Sequence, residues 1–268
     1  VVIQQAAPNS PAPLLKRAFM FLEDGKWQEK TMPFPDVIYN AGSPEKLSVS
    51  RVIINKLRKE IPFTTNSIGN KGNVAKRLTE AKEFTQYLIP SEIVTKAESF
   101  YQFMAGYKKV VFKPVDGRKG KGIYFISKVG SDYTVQKDTA TERLTKAQLD
   151  AFLEERFATD AYMVQPYIQS KLASGQVFDF RIHVQKNGEG KWIITTAYPR
   201  VAPSGSIIPN INNGGYTNYL EPFLALQFQG EAFNMKRMLE HFGLSLARHL
   251  DEIQMVKFDE VIDEIGID

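Results

Sequence analysis

The 268-residue sequence contains no cysteine. That absence excludes disulfides, thiolate metal sites and a cysteine nucleophile, and it suits a reducing compartment. Histidine is scarce, with three in all. They form no His-x-x-x-His zinc pair, and no Gly-x-Ser-x-Gly elbow marks a serine hydrolase. No apolar run reaches the roughly 18 residues that a membrane span needs, and no signal-peptide pattern opens the chain. Charge imbalance is also small: 34 Lys and Arg stand against 30 Asp and Glu, a net of +4. Such an excess admits an anionic ligand but lacks the broad basic face of a nucleic-acid-binding domain. The expectation is a cytoplasmic protein with neither nucleic acid nor membrane as partner.

What is present reads as an ordinary globular chain, 43% hydrophobic and 24% charged, with length for about two domains. Residues 1–68 read as a small α/β unit. VIYNAGSPEKL suggests a strand end and a turn, SVSRVIINKLRKE suggests a helix, and a polar stretch from Asn66 to Asn73 suggests a boundary. Residues 69–268 form the larger expected domain. NVAKRLTEAKEFTQYL has helical spacing, with Val74, Leu78, Ala81, Phe84 and Leu88 on related faces. AESFYQFMAGY predicts a second helix ending at Gly106. YKKVVFKPV, GIYFISKV and YTVQK then predict a small antiparallel sheet. Thr145 to Gln148 forms a capping box that starts the helix KAQLDAFLEERFA. VFDFRIHVQK alternates, so Phe178, Phe180, Ile182 and Val184 face one side while Asp179, Arg181 and His183 face the other. KWIITTAYPRVA reads as its partner strand, and GEAFNMKRMLEHFGLSLARHLDEI as the longest helix.

The stretch VVFKPVDGRKGKGIYFI, residues 110–126, places three glycines and three cations between two apolar runs. It is not a P-loop, because Ile123 stands where the motif requires lysine. It is not a dinucleotide fingerprint, because Gly120-Lys-Gly122 leads into a strand. A hairpin tip and a cover over phosphates both remain open for it, since glycine amides can turn toward an anion. Lys113, inside a strand, calls for an anionic partner if buried and snorkels if at an edge. The acid–base face of Asp179, Arg181 and His183 could be the solvent side of a sheet. With Arg200, Asn210 and the pair Gly214-Gly215 downstream, a phosphoryl pocket is the alternative. His183 reads as a hydrogen-bonded residue more readily than a catalyst. His241 and His249 read as structural or solvated, and the carboxylates near the C-terminus as a solvated face.

The ordered series KPVDGRKGKGI, YMVQPYI, FDFRIHVQ, AYPRVA, PNINNGG and EIGID resembles the ATP-grasp superfamily. It is most similar to the YheC/YheD-type family associated with spore coats, and more distantly to ribosomal-protein glutamate ligases and glutathione synthetases. The resemblance implies an α+β ATP-grasp fold, two subdomains clasping ATP, behind a small pre-ATP-grasp domain. The lid would span about residues 90–162. It implies an ATP- and Mg2+-dependent ligase joining a carboxylate to an amine, with an amino acid or peptide as substrate. Lys113 would contact the α- and β-phosphates, with Lys76 as a second phosphate lysine. The loop containing Gly117, Gly120 and Gly122 would close over the phosphates. Gln165, Tyr167 and Ile168 would read adenine along the linker, and Asp179 would reach the ribose or orient Arg181. Arg181, Arg200, Asn210, Gly214 and Gly215 would surround the γ-phosphate and the activated acyl group. Asp268 would be the first magnesium ligand. The family pattern continues into a strand reading roughly Glu-Val-Asn, so the ATP-grasp domain is expected to be incomplete at its C-terminal end. A non-catalytic spore-coat protein on the same scaffold, and a kinase that stops at phosphoryl transfer, are the rival readings.

Overall fold

In the computed structural model the described residues are 14–39, 48–64, 66–115, 122–209, 211 and 214–268. The chain divides into two compact units. One comprises Val1–Ser67 with Asp259–Asp263, and the other Ile68–Phe258 with Glu264–Asp268. In the smaller unit, strands β1 (Leu14–Phe21) and β2 (Trp27–Pro33) form an antiparallel hairpin. β3 (Ile38–Tyr39) pairs in parallel with β4 (Phe63–Thr64), with helix α1 (Ser48–Leu57) between them. Leu57 and Ile61 are buried at the end of that helix. Asn66 donates to the carbonyl of Val261 at 3.0 Å, which ties the returning segment to this unit.

The larger unit opens with helix α2 (Lys71–Ala81). Asn70 caps it by accepting from the amide of Asn73 at 2.9 Å. The apolar spacing predicts a helix running to Leu88, but the chain leaves helical geometry at Lys82 and Phe84, with φ of +64° and +59°. The Lys82 amide bonds back to Thr79, a left-handed C-cap that ends the helix seven residues early. Phe84 still packs inward, against Phe242 and His249.

Next come β5 (Glu92–Val94), α3 (Ala97–Met104), β6 (Lys109–Pro114), β7 (Tyr124–Val129), β8 (Asp132–Lys137), β9 (Ala140–Leu144), α4 (Lys146–Phe157) and β10 (Tyr162–Pro166). Their strands form one antiparallel sheet in the order β5-β10-β6-β7-β8-β9. The capping box read from Thr145 and Gln148 is present, with the Thr145 amide donating to Gln148 Oε1 at 2.9 Å. α3 and α4 cover one face of this sheet. Phe100, Val110, Phe112, Ile126, Leu149, Leu153 and Val164 are fully buried there. Phe112 stacks on Tyr162 with ring centroids 4.4 Å apart. Each such aromatic contributes about 2–3 kcal/mol of burial.

Strands β11 (Phe178–Lys186), β12 (Trp192–Val201) and β13 (Tyr216–Thr217) follow, then helices α5 (Leu220–Phe228) and α6 (Ala232–Phe258), and finally β14 (Glu264–Ile267). The second sheet runs β13-β12-β11-β14, all antiparallel. Its alternation follows the sequence. Ile182 and Val184 are buried, and Phe178 and Phe180 pack with Val201, Phe223 and Leu224 under α5. The opposite face carries Asp179, Arg181 and His183. Helix α5 has no counterpart among the sequence expectations, because its near-uniform apolar run LEPFLALQF carries no one-sided periodicity. Among the described residues no helix is long and apolar enough to cross a membrane.

Candidate functional site

The first sheet exposes one face away from its helices. Val110 and Phe112 are buried on the helical side, so Lys109, Val111 and Lys113 line the other. Pairing with β10 sets Met163 opposite Lys113 and Gln165 opposite Val111. Lys113 Nζ donates to Gln165 Oε1. Among the described residues no carboxylate pairs with Lys113. Burial, followed by the charge of Lys71, lowers its pKa to about 8. A half-buried ammonium with a neutral partner and a repelling neighbour suits an anionic ligand.

Lys71, the first residue of α2, is therefore the lysine whose charge reaches Lys113. The family resemblance implies Lys76 as a second phosphate lysine. Lys76 lies further along α2 with its side chain 78% exposed, 3.9 Å from Glu80. The signal that could have found Lys71 is the cap itself. Asn70 fixes the helix start, and the first residue after it belongs to the turn whose free amides and positive dipole end favour anions.

The linker residues sit where the first sheet ends. Gln165 and Pro166 are the last residues of β10. The Tyr167 amide donates to the Lys109 carbonyl at 2.9 Å, and the Tyr167 ring meets Phe125 edge-on at 5.5 Å. The Lys109 ammonium stands 4.6 Å from the Tyr167 ring centroid. Burial raises the Tyr167 phenol and lowers the Lys109 amine, the latter with help from Lys171. Lys109, Lys171, Gln136, Tyr167 and Ile207 border a cavity of about 550 Å³. Ile168 is exposed.

On the second sheet, register places Asp179 opposite Arg200. Arg200 binds both carboxylate oxygens, Nε to Oδ1 at 2.7 Å and Nη2 to Oδ2 at 2.6 Å. Arg200 Nη2 also lies 2.9 Å from Asp268 Oδ1, and Arg181 Nη1 donates to that same oxygen. The result is a chain of alternating charge, Asp179–Arg200–Asp268–Arg181. Burial pushes the Asp179 carboxyl up, outweighing its bonds to Arg200. The hydrogen bond from Arg200 to Asp179 holds the guanidinium above its usual range. Along the same face His183 Nδ1 is 3.7 Å from Glu264 Oε1, and Gln185 donates to Glu264 at 3.2 Å. β13 pairs Thr217 with Arg200, so Gly214 and Gly215 immediately precede the strand beside that arginine.

Of the residues singled out by sequence, the fold joins Asp179, Arg181, Arg200 and Asp268 in one network and Lys113 with Gln165 in another. Gly122, two residues before β7, has φ +71°, and a methyl there would sit 2.9 Å from Pro114 Cγ. Gly117, Gly120 and Asn210 lie outside the described residues. The lysine environment fits a phosphate-bearing nucleotide. Asp268, which the family resemblance implies as a magnesium ligand, lies in the charge network of this face. Asp268 Oδ1 is held by two guanidiniums, and no three His, Cys, Asp or Glu side chains converge among the described residues.

The chain is similar to known proteins over most of this larger unit. It is 26% identical over 207 residues to the endospore coat-associated protein YheD of Bacillus subtilis (strain 168), covering 73% of this chain and 46% of that protein. It is 21% identical over 197 residues to YheC of the same organism, covering 70% and 54%. The chain thus spans about half the length of these curated relatives. Among solved structures, an ADP complex of N5-carboxyaminoimidazole ribonucleotide synthetase aligns with a TM-score of 0.47 at 12% identity, over 86% of this chain and 48% of that one. D-cycloserine synthetase aligns at 0.45 and 11%, over 84% and 67%. Residues 60–268 match the family described as YheC/D like ATP-grasp, and the chain belongs to that family.

Proposed function

We propose that the larger unit binds ATP and uses it to join a carboxylate to an amine. The observation that carries this reading is Lys113: a half-buried lysine, without a carboxylate partner among the described residues, beside a second lysine. A triphosphate would supply the missing negative charge. Lys113 and Lys71 would hold the phosphates, Gln165, Tyr167 and Ile168 would border the adenine, and Arg181 and Arg200 would meet the γ-phosphoryl group. The substrate carboxylate attacks the γ-phosphorus, ADP departs, and an acyl-phosphate forms. The amine then attacks the acyl carbon, phosphate leaves, and the amine loses a proton. Both steps gather negative charge, which fixed guanidiniums stabilise without a nucleophilic side chain. Magnesium is the divalent ion that ATP brings to such sites.

The relatives' association with the endospore coat supports a second reading, a nucleotide-binding protein without turnover on the same scaffold. One experiment separates them. Amino acids and short peptides are screened for ATP-dependent ADP release, with mass spectrometry of the products. Release of inorganic phosphate with an amide product supports the ligase. A phosphorylated acceptor identifies a kinase, and ATP binding without ADP release supports the scaffold reading.

A further inference from the structure

Gly266 occupies the middle of β14, between Ile265 and Ile267. Glycine weakens a strand interior, and its presence there often marks a close approach by another group. Its φ lies outside the left-handed region, so the backbone does not require glycine. The reason lies above it. A methyl group built on Gly266 would stand 2.9 Å from Arg181 Nη2, 3.0 Å from Cζ and 3.3 Å from Nε. These three nearest atoms all belong to one guanidinium. Arg181 therefore lies flat across the bare backbone of β14.

The register explains why it must. Ile182 pairs with Ile267 and His183 with Gly266. Arg181 thus starts next to Asp268 and leans back over Gly266, with Nη1 on Asp268 Oδ1. Arg200 reaches the same oxygen from β12. Both guanidiniums meet at Asp268 Oδ1, with that of Arg181 lying over Gly266. Any β-carbon at position 266 would lift Arg181 off that floor.

We propose that Gly266 is a positioning residue, whose missing side chain aims Arg181 at the phosphoryl site beside Arg200. The inference rests on the ATP-binding reading above. Its own prediction concerns Gly266→Ala. The clash falls on the far end of a flexible side chain, so the fold should tolerate the methyl. Alanine also suits a strand better than glycine does. The melting temperature should hold or rise, while ATP affinity falls about tenfold, measured by calorimetry on the full chain.

A double-mutant cycle isolates the cause. In an Arg181→Ala background, adding Gly266→Ala should change ATP affinity by less than twofold. Arg181→Lys should also blunt the effect, because a slim ammonium stem clears the methyl. If Gly266→Ala costs the same tenfold whether Arg181 is intact or truncated, the positioning role is overturned. Unchanged affinity in Gly266→Ala, when Arg181→Ala itself weakens ATP, overturns it as well. If Arg181→Ala leaves ATP affinity untouched, the phosphoryl role of Arg181 is what fails. Should Gly266→Ala fold poorly, the double variant decides. Its recovery supports the clash with Arg181, and its failure places the conflict elsewhere and overturns the proposal.

Discussion

Replacing Lys113 with methionine should make the protein more stable while weakening its nucleotide affinity. The lysine pKa falls from 10.5 to about 8, caused first by burial and then by Lys71. That difference corresponds to roughly 3 kcal/mol spent keeping the ammonium charged in the folded state at neutral pH. Methionine removes the charge and retains the bulk. Gln165 Oε1 loses its donor, which costs about 1 kcal/mol. A net gain of about 1–2 kcal/mol remains, a rise of roughly 2–8 °C in melting temperature for a unit of this size. The pH dependence has a defined sign. Below pH 8 both folded and unfolded chains carry the proton, and the full penalty applies. Between about 8 and 10.5 the unfolded chain binds more protons, so wild-type stability rises through that window. The methionine variant lacks that rise, and the two stability curves converge. ATP affinity should fall about 10- to 100-fold in the variant, the worth of a lost charge-assisted hydrogen bond to phosphate. Urea melts from pH 7 to 10 and calorimetric ATP titrations measure both effects. A destabilised variant refutes the account of Lys113 as an unneutralised cation. Unchanged ATP affinity refutes its phosphate role.

Arg200→Met should act in the opposite direction, costing about 2 kcal/mol, because it strands the half-buried Asp179 carboxylate. The loss should shrink as pH drops and Asp179 protonates, so melts at pH 7 and pH 5 test it. Thr145→Ala removes one side of the capping box and should cost about 1 kcal/mol, read by denaturant unfolding. Gly122→Ala should cost roughly 2 kcal/mol or more, since it combines a left-handed φ with a methyl 2.9 Å from Pro114. A melting temperature unchanged in that variant would contradict the packing described.

Much of this molecule is legible in residue order. The period-two run through Phe178 to Lys186 fixes which side of β11 is apolar, because side chains on a strand alternate whatever lies beyond it. The Thr145–Gln148 box marks a helix start through contacts three residues apart. Lys113 stands out because an amine inside an apolar strand calls for an explanation. The ordered motifs match the family to which the chain belongs. Other features depend on residues far apart in the chain. The charge of Lys71, at the start of α2, reaches Lys113 across the fold, a relation that no local pattern encodes. The end of α2 at Lys82 reflects a left-handed cap that overrides an apolar pattern running on to Leu88. The family resemblance implies a metal role for Asp268. In the fold it also pairs with Arg181 and Arg200, 87 and 68 residues earlier in the sequence. Gly266 says nothing until β14 pairs with β11 and a guanidinium settles on it. Local periodicity and capping are short-range forces and leave marks in sequence. Charge pairing and close approach are set by strand register and helix placement, which arise when the whole chain packs.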